Sequence, residues 1–349
     1  MTDLREAILR ADYLRRSPAL AGGPGGHKEW LHFCVYGDEV DVLVNFSLVD
    51  DVREGAAPGT EYARVVVLVR DPALGGWDGD VELFPAEEVF AQGGGVRMHF
   101  GRNRVYFDEA EGVYRVSVTL RHRPIRVALT LEPITLPSLA NNIQLDPGPP
   151  INWLVLPRMR AHGEVEIGAR THRFEGAPAY HDHNWGRFAW GRDFAWEWGF
   201  GLPTDPENPW TMVFVRLSNR AHTRVFMQAI FLWRGAGQHR VIRAGDLRVT
   251  REGFLRPERV FKVPRAMALV SPGTATDVPA GLSIVGEADG DSVACEFAAT
   301  DLAQVIIPND HDPGVTIIHE VSGSVRVRGT VRGERVEMDG RAIFEFLGA

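Results

Sequence analysis

The sequence predicts an all-β protein, folded as antiparallel sandwiches or barrels, with one short helix at the N-terminus. Three observations predict it. Between turns, hydrophobic residues repeat with the two-residue period of a strand rather than the 3.6-residue period of a helix. β-branched and aromatic residues dominate these runs, as in Arg64-Val65-Val66-Val67-Leu68-Val69. Finally, 37 glycines and 22 prolines are dispersed through 349 residues. Turn signals therefore recur roughly every dozen residues, a spacing that suits hairpins better than the crossover helices of a parallel sheet.

From the N-terminus, Met1 to Arg16 mixes Asp, Arg and Glu with Leu, Ile and Ala and reads as a short amphipathic helix. The Gly-rich run Ala21 to Gly26 follows as a linker. Arg64–Val69 reads as a buried strand, and Pro85 to Gln92 as a second short helix. Strands are then expected at Val113 to Leu120, Ile125 to Leu131, Gly163 to Gly168 and Arg170 to Phe174, the last two joined by a tight turn. Further strands are expected at Thr211 to Leu217, Val225 to Trp233, Ser292 to Phe297, Val315 to His319, Ser324 to Val331 and Ala342 to Phe346. Proline-rich turns at Asp146 to Pro150 and Leu202 to Pro209 are two candidate boundaries. The junction is placed near 186–200, giving an N-terminal helix and linker over 1–26 and two β domains over 27–190 and 191–349.

Composition excludes several functions. Hydrophobic residues make up 44% and charged residues 24% of the chain, the balance of a globular protein. The net charge of -8 leaves no electrostatic footprint for nucleic acid or an anionic membrane. The only cysteines, Cys34 and Cys295, supply neither a disulfide framework nor a CxxC site. No apolar run approaches the roughly 20 residues of a transmembrane helix and no secretory signal opens the chain, so the expected location is the cytoplasm. There is no G-x-S-x-G elbow, no dinucleotide fingerprint and no phosphate-binding loop. The runs Gly93-Gly94-Gly95 and Gly235-Ala236-Gly237 read as turns.

The densest chemistry lies in Tyr180-His181-Asp182-His183-Asn184-Trp185-Gly186. If this stretch is extended, Tyr180, Asp182 and Asn184 share one face, and His181, His183 and Trp185 the other. On the first face, an acid beside a phenol and an amide, directed into an apolar barrel, has reason to stay protonated, because burial disfavours the charged form. Such an acid can protonate an alkene or open an epoxide, and nearby indoles can stabilise the resulting cation. A protonated histidine beside Asp182 would work against this. Binding the strand into place is the competing structural role. On the second face, His181-x-His183 has the spacing of paired metal ligands in a cupin strand, but no carboxylate follows at the cupin position. No metal and no cofactor are therefore expected.

Among other residues, Glu29 and Trp30 on the first strand are expected to line the pocket, against the alternative of a strand-end ion pair and a core indole. Trp196-Glu197-Trp198 alternates, so the two indoles share a pocket face and Glu197 takes the structural one. His99, His122, His162, His172 and His222 read as surface or internally satisfied residues.

The central segment closely resembles the GYxDHNWG motif of the carotenoid 1,2-hydratase (hydroxyneurosporene synthase) family, a group that includes AttH-like proteins and lipocalin-like cyclases and pericyclases of natural-product pathways. Glu29-Trp30-Leu31-His32-Phe33 resembles the family's opening EWWYF strand. Trp153 to Gly168 resembles the lead-in to the motif, and Gly340 to Glu345 the closing strand. The resemblance implies two lipocalin-like antiparallel barrels in tandem and a pocket for a small hydrophobic substrate. It further implies a cofactor-independent lyase or isomerase: a hydratase or cyclase of an isoprenoid in which Asp182 donates the proton and Tyr180 and Asn184 assist. Substrate contact would come from Glu29, Trp30, Trp153, His183, Trp185, Trp196 and Trp198, with membrane contact peripheral and limited to substrate uptake. Leu31, His32, Ala179 and Ile151 depart from the family pattern and point away from a carotenoid. A Diels-Alderase-like pericyclase of a polyketide and a non-catalytic carrier of hydrophobic metabolites are the alternatives.

Overall fold

The computed structural model describes residues 4–15, 27–49, 61–145, 148, 150–192 and 194–347. The expected linker at Ala21 to Gly26 and most of the Asp146 to Pro150 turn lie outside these residues. The chain divides into two units, Met1–Ile143 with Pro149–Ala189, and Gln144–Gly148 with Trp190–Ala349.

The first unit opens with helix α1 (Leu4–Ala11) and carries one antiparallel sheet of twelve strands. These are β1 (His27–Tyr36), β2 (Asp41–Val49), β3 (Glu61–Asp71), β4 (Gly76–Pro85), β5 (Val89–Ala91), β6 (Arg97–Phe100), β7 (Asn103–Asp108), β8 (Val113–Thr119), β9 (Ile125–Pro133), β10 (Ser138–Ile143), β11 (Ile151–Ile167) and β12 (Arg170–Arg187). The ladder runs β4-β3-β2-β1-β12-β11-β9-β8-β7-β6-β5, with β10 on β11. Its two ends, β4 and β5, are joined by only the 3-10 turn Ala86–Glu88. Laid flat, the ends of eleven strands would stand about 48 Å apart, whereas three residues reach roughly 10 Å. The sheet must therefore roll up on itself. Side chains tie the seam: Arg123 pairs with Asp78 of β4 at 2.6 Å, and the Arg121 amide donates to Glu82 of β4.

The second unit repeats the device. Its strands are β13 (Ala195–Pro203), β14 (Trp210–Ser218), β15 (Val225–Arg234), β16 (Gly237–Arg243), β17 (Leu247–Glu252), β18 (Phe261–Val263), β19 (Gly281–Ala288), β20 (Asp291–Pro308), β21 (Val315–Val331) and β22 (Glu334–Leu347), with a short helix α2 (Met267–Val270). The order is β16-β15-β14-β13-β22-β21-β20-β19-β17, with β18 parallel on β20. Again the two end strands, β16 and β17, are joined by one 3-10 turn, Ala244–Asp246. Across this seam Arg240 of β16 pairs with Asp289 at 2.9 Å and Asp291 at 2.8 Å.

Two local expectations are corrected. Pro85 to Gln92, predicted helical, holds the 3-10 turn and β5, where Val89 and Phe90 pair with Phe100 and His99 of β6. Closing the rolled sheet decides that segment over a weak helix propensity. The two strands expected at Val315 to His319 and Ser324 to Val331 are one strand, β21. Gly323 between them is not a turn: β20 passes so closely that a Cβ there would fall 2.2 Å from the Ala298 carbonyl oxygen.

Phe33, Phe46, Phe84, Phe100 and Leu131 fill the interior of the first unit, joined by Ile8 of α1 and by Leu14 just beyond it. Met212, Phe214, Phe297 and Phe344 do so in the second. Strands such as β8 alternate buried and half-buried residues, the pattern of a sheet with one solvated face. β1 from Leu31 onward, β12 over 179–183 and all of β13 are buried on both faces.

Candidate active site

β12 lies between β1 and β11. Its register sets Asn184 opposite Trp30 and Trp153, Asp182 opposite His32 and Val155, and Tyr180 opposite Cys34. Directly opposed residues of antiparallel strands share a face. Tyr180, Asp182, Asn184, His32, Trp30 and Trp153 thus form one patch. The expectation that Asp182 points into the barrel interior is corrected. The apolar core of the first unit takes Leu31, Phe33, Leu154, Leu156 and Trp185, which lie on the opposite face of these strands.

On the Asp182 face both carboxylate oxygens accept a hydrogen bond. The Tyr180 hydroxyl donates to Oδ2 at 3.0 Å and Asn184 Nδ2 donates to Oδ1 at 2.8 Å. Asp182 is 3% exposed and Tyr180 fully buried. His32 meets the Tyr180 ring edge-on at 6.5 Å. Burial, and then the neighbouring His181 ring, push its pKa from 6.5 down to about 3. At neutral pH it sets an uncharged ring beside Asp182. Trp30 packs edge-on against Phe188 at 5.9 Å, and Lys28 Nζ donates to the Phe188 carbonyl at 3.0 Å.

The other face carries a charged network. Asp12, just past α1, receives His181 Nε2 on Oδ2 at 3.0 Å and His183 Nδ1 on Oδ1 at 2.6 Å. The Tyr114 hydroxyl also donates to Asp12 Oδ2. His183 Nε2 donates to Glu29 Oε1 at 2.8 Å, which also accepts from the Arg15 amide at 2.7 Å. His27 Nε2 lies 3.1 Å from Glu29 Oε2, and His181 Nδ1 donates to the His32 carbonyl at 2.9 Å. Burial would raise the carboxyl pKa values, but the histidine bonds outweigh it. Glu29 falls to about 2, and Asp12 is held far below the usual carboxylate range. Burial would lower His183, yet its two carboxylate partners raise it to about 9. Burial and the Asp12 charge push the Tyr114 hydroxyl well above 10. The His183 cation is therefore compensated within its own face. All four ring nitrogens of His181 and His183 have protein partners, leaving no lone pair for the cupin-like metal role weighed from the sequence.

Expected pocket residues accordingly divide. Trp30 and Trp153 stand with Asp182. Glu29, His183 and Trp185 lie on the core face, where Trp185 stacks under the Arg15 guanidinium at 4.0 Å. Trp196 and Trp198 belong to the second unit, on the face of β13 opposite Glu197. Glu197 pairs with Arg216 at 3.2 Å and Arg251 at 2.5 Å. Trp196 Nε1 donates to Glu345 Oε1. Burial raises the Glu345 carboxyl to about 7, against the lowering effect of hydrogen bonds with Glu320 and Trp196. Sequence reasoning missed Asp12, Tyr114, Arg15 and the Glu320–Glu345 pair. Asp12 had one signal: an acid at the C-terminal end of a helix opposes the helix dipole and needs a partner.

Three solved structures share this fold over nearly their whole length. A protein described as AttH from Nitrosomonas europaea is similar at TM-score 0.65 and 12% identity, with 95% of this chain and 96% of that chain covered. CghA in complex with Sch210972 is similar at TM-score 0.63 and 14% identity, covering 97% and 94%. Kievitone hydratase from Nectria haematococca is similar at TM-score 0.59 and 12% identity, covering 96% and 94%. At such identities the likeness is one of fold. No family model matches the chain, and no curated protein matches it in sequence.

Proposed function

We propose that the protein is a cofactor-independent hydratase or cyclase of a hydrophobic isoprenoid substrate, built as two lipocalin-like barrels, with Asp182 as proton donor. The observation that carries this is the Tyr180–Asp182–Asn184 constellation, buried and flanked in register by Trp30 and Trp153. Protonated Asp182 transfers its proton to an alkene carbon or an epoxide oxygen, leaving a carbocation and a carboxylate. Tyr180 and Asn184 already aim donors at the two oxygens of that carboxylate, which stabilises the conjugate base as it forms. Indole faces attract the cation, by about 2 kcal/mol or more when desolvated. Water attack gives an alcohol and cyclisation a ring; either way a proton returns to Asp182 and closes the cycle. A structural neighbour named as a hydratase and another bound to Sch210972 support this class of chemistry. A cytoplasmic location and peripheral membrane contact belong to the same proposal, and exposed Leu269 and Val270 on α2 offer apolar surface for that contact.

A product assay in deuterated water with polyprenyl and polyene substrates tests it. Wild type is expected to fix deuterium at carbon when an alkene is protonated, and to give the ring-opened alcohol from an epoxide, and Asp182→Asn to form no product. Product without carbon-bound deuterium from an alkene substrate would favour the pericyclase. Tight binding without turnover, unchanged in Asp182→Asn, would favour the carrier. A second reading rests on Glu345, whose carboxyl titrates near 7: if Glu345→Gln abolishes deuterium incorporation while Asp182→Asn retains it, the proton comes from the second unit.

A further inference from the structure

Far along β12 from Asp182, an open cleft of about 620 Å³ is lined by Asp38, Glu39, Asp71, Arg170, Thr171 and His172. It lies where the β1–β2 hairpin, the end of β3 and the start of β12 meet. Asp71 closes β3 and uses Oδ1 to cap the following 3-10 turn, accepting from the Ala73 amide at 2.8 Å. Its other oxygen, Oδ2, is buried without a hydrogen bond, and so is His172 Nε2. The two atoms face each other at 3.9 Å, on side chains 3% and 10% exposed. The opposite ring nitrogen, His172 Nδ1, donates to Glu39 Oε2 at 2.9 Å. Arg170 Nη1 lies 3.6 Å from Asp71 Oδ2 on a side chain 54% exposed, free to turn outward.

His183 offers a comparison within the same molecule. It too stands between two carboxylates, and it closes on both, at 2.6 and 2.8 Å. His172 closes on one carboxylate and stops 3.9 Å short of the other, beyond hydrogen-bonding distance. With Nδ1 held by Glu39, Nε2 is left toward Asp71 Oδ2. Zinc–nitrogen and zinc–oxygen bonds of about 2.0–2.2 Å at a tetrahedral angle set the two ligand atoms about 3.4 Å apart, so a side-chain rotation that closes the 3.9 Å gap by about half an ångström admits a metal ion. The Glu39–His172 bond matches the carboxylate partner that orients metal-binding histidines and raises their basicity.

We propose that this cleft binds one divalent transition-metal cation, such as zinc, between His172 Nε2 and Asp71 Oδ2. Glu39 orients the imidazole, and water completes the shell. The site is independent of the Asp182 chemistry.

Zinc titration of the full chain, by calorimetry or competition with a chromogenic chelator, tests it. One equivalent is expected to bind. His172→Ala and Asp71→Asn are each expected to weaken binding at least tenfold, and Glu39→Gln by up to about tenfold. The exposed-histidine control His122→Ala should bind as wild type does. Wild-type protein that takes up no zinc below millimolar concentration, or His172 and Asp71 variants that bind it normally, would overturn the proposal. Should a variant fold poorly, modification of His172 by diethyl pyrocarbonate in wild-type protein decides: zinc must protect that ring, and an unprotected ring overturns the site.

Discussion

The two faces of β12 carry the same kinds of side chain and put them to opposite uses. On the core face the Asp12 and Glu29 carboxylates clamp the His183 cation, and ionic groups tie the chain that follows α1 into the first unit. On the other face Asp182 accepts from Tyr180 and Asn184 and faces a histidine kept uncharged by burial. Buried charges that compensate one another form a structural lock. An acid whose two oxygens accept from a phenol and an amide has its conjugate base stabilised, as proton donation requires. Alternation along one strand is enough to separate the two within a few ångströms.

Exchanging the fates of the two aspartates is the strongest way to break this contrast. Asp182→Asn is expected to lower turnover by about 10²–10⁴-fold while leaving the unfolding midpoint near wild type. Asp12→Ala is expected to destabilise by about 3–5 kcal/mol in urea unfolding, because it strips one counter-ion from a buried cation. If Asp182→Asn unfolds the protein and Asp12→Ala does not, the roles assigned to the faces are reversed.

The pH dependence of stability sharpens the contrast. His183, raised from 6.5 to about 9 in the folded state, adds stability that is complete below pH 6.5 and is lost as the pH rises towards 9. His32, lowered from 6.5 to about 3, acts in the other direction: the unfolded chain takes up its proton first, so stability falls as the pH drops from 6.5 towards 3. Glu29, lowered from 4.5 to about 2, adds a further acid loss below pH 4.5. Glu345, raised from 4.5 to about 7, adds stability that is complete below pH 4.5 and is lost as the pH rises towards 7. It offsets the His32 limb, so unfolding free energy followed against pH should be level between about 4.5 and 6.5 and fall on either side. His32→Gln should remove the offset, so that stability falls from pH 4.5 upward, and should leave the alkaline limb above 6.5, which belongs to the core face, in place.

The smallest expected effect concerns the indoles. Trp30→Phe keeps an aromatic face beside Asn184 and should raise KM by about threefold, with kcat within about twofold, in line with a partial loss of cation–π attraction. A fall in kcat as large as that of Asp182→Asn would instead make Trp30 part of the proton-transfer geometry.

Much of this was legible in the residues. The period of two along Val113 to Leu120, the turn between Gly163 to Gly168 and Arg170 to Phe174, and the helix before Asp12 are local properties, and β8, the β11–β12 hairpin and α1 occur there. The grouping of Tyr180, Asp182 and Asn184 also follows from alternation alone, since it needs nothing beyond an extended backbone. The segment at Pro85 to Gln92 was misread because its conformation answers to the closing of a rolled sheet. Glu29 was expected to line the pocket together with Trp30, although the register of β1 against β12 sets its side chain on the face opposite Asp182.

The sequence by itself therefore determined the strand-rich class, the N-terminal helix and which side chains of β12 share a face, all consequences of short-range periodicity. Tertiary structure alone decided which face meets the core, which carboxylates hold His183, and that Asp71 and Glu39 flank His172. Those partners lie 171 and 154 residues from His183 and 133 residues from His172 in the case of Glu39. Strand register and sheet closure bring them together, and neither is encoded in the spacing of any local motif.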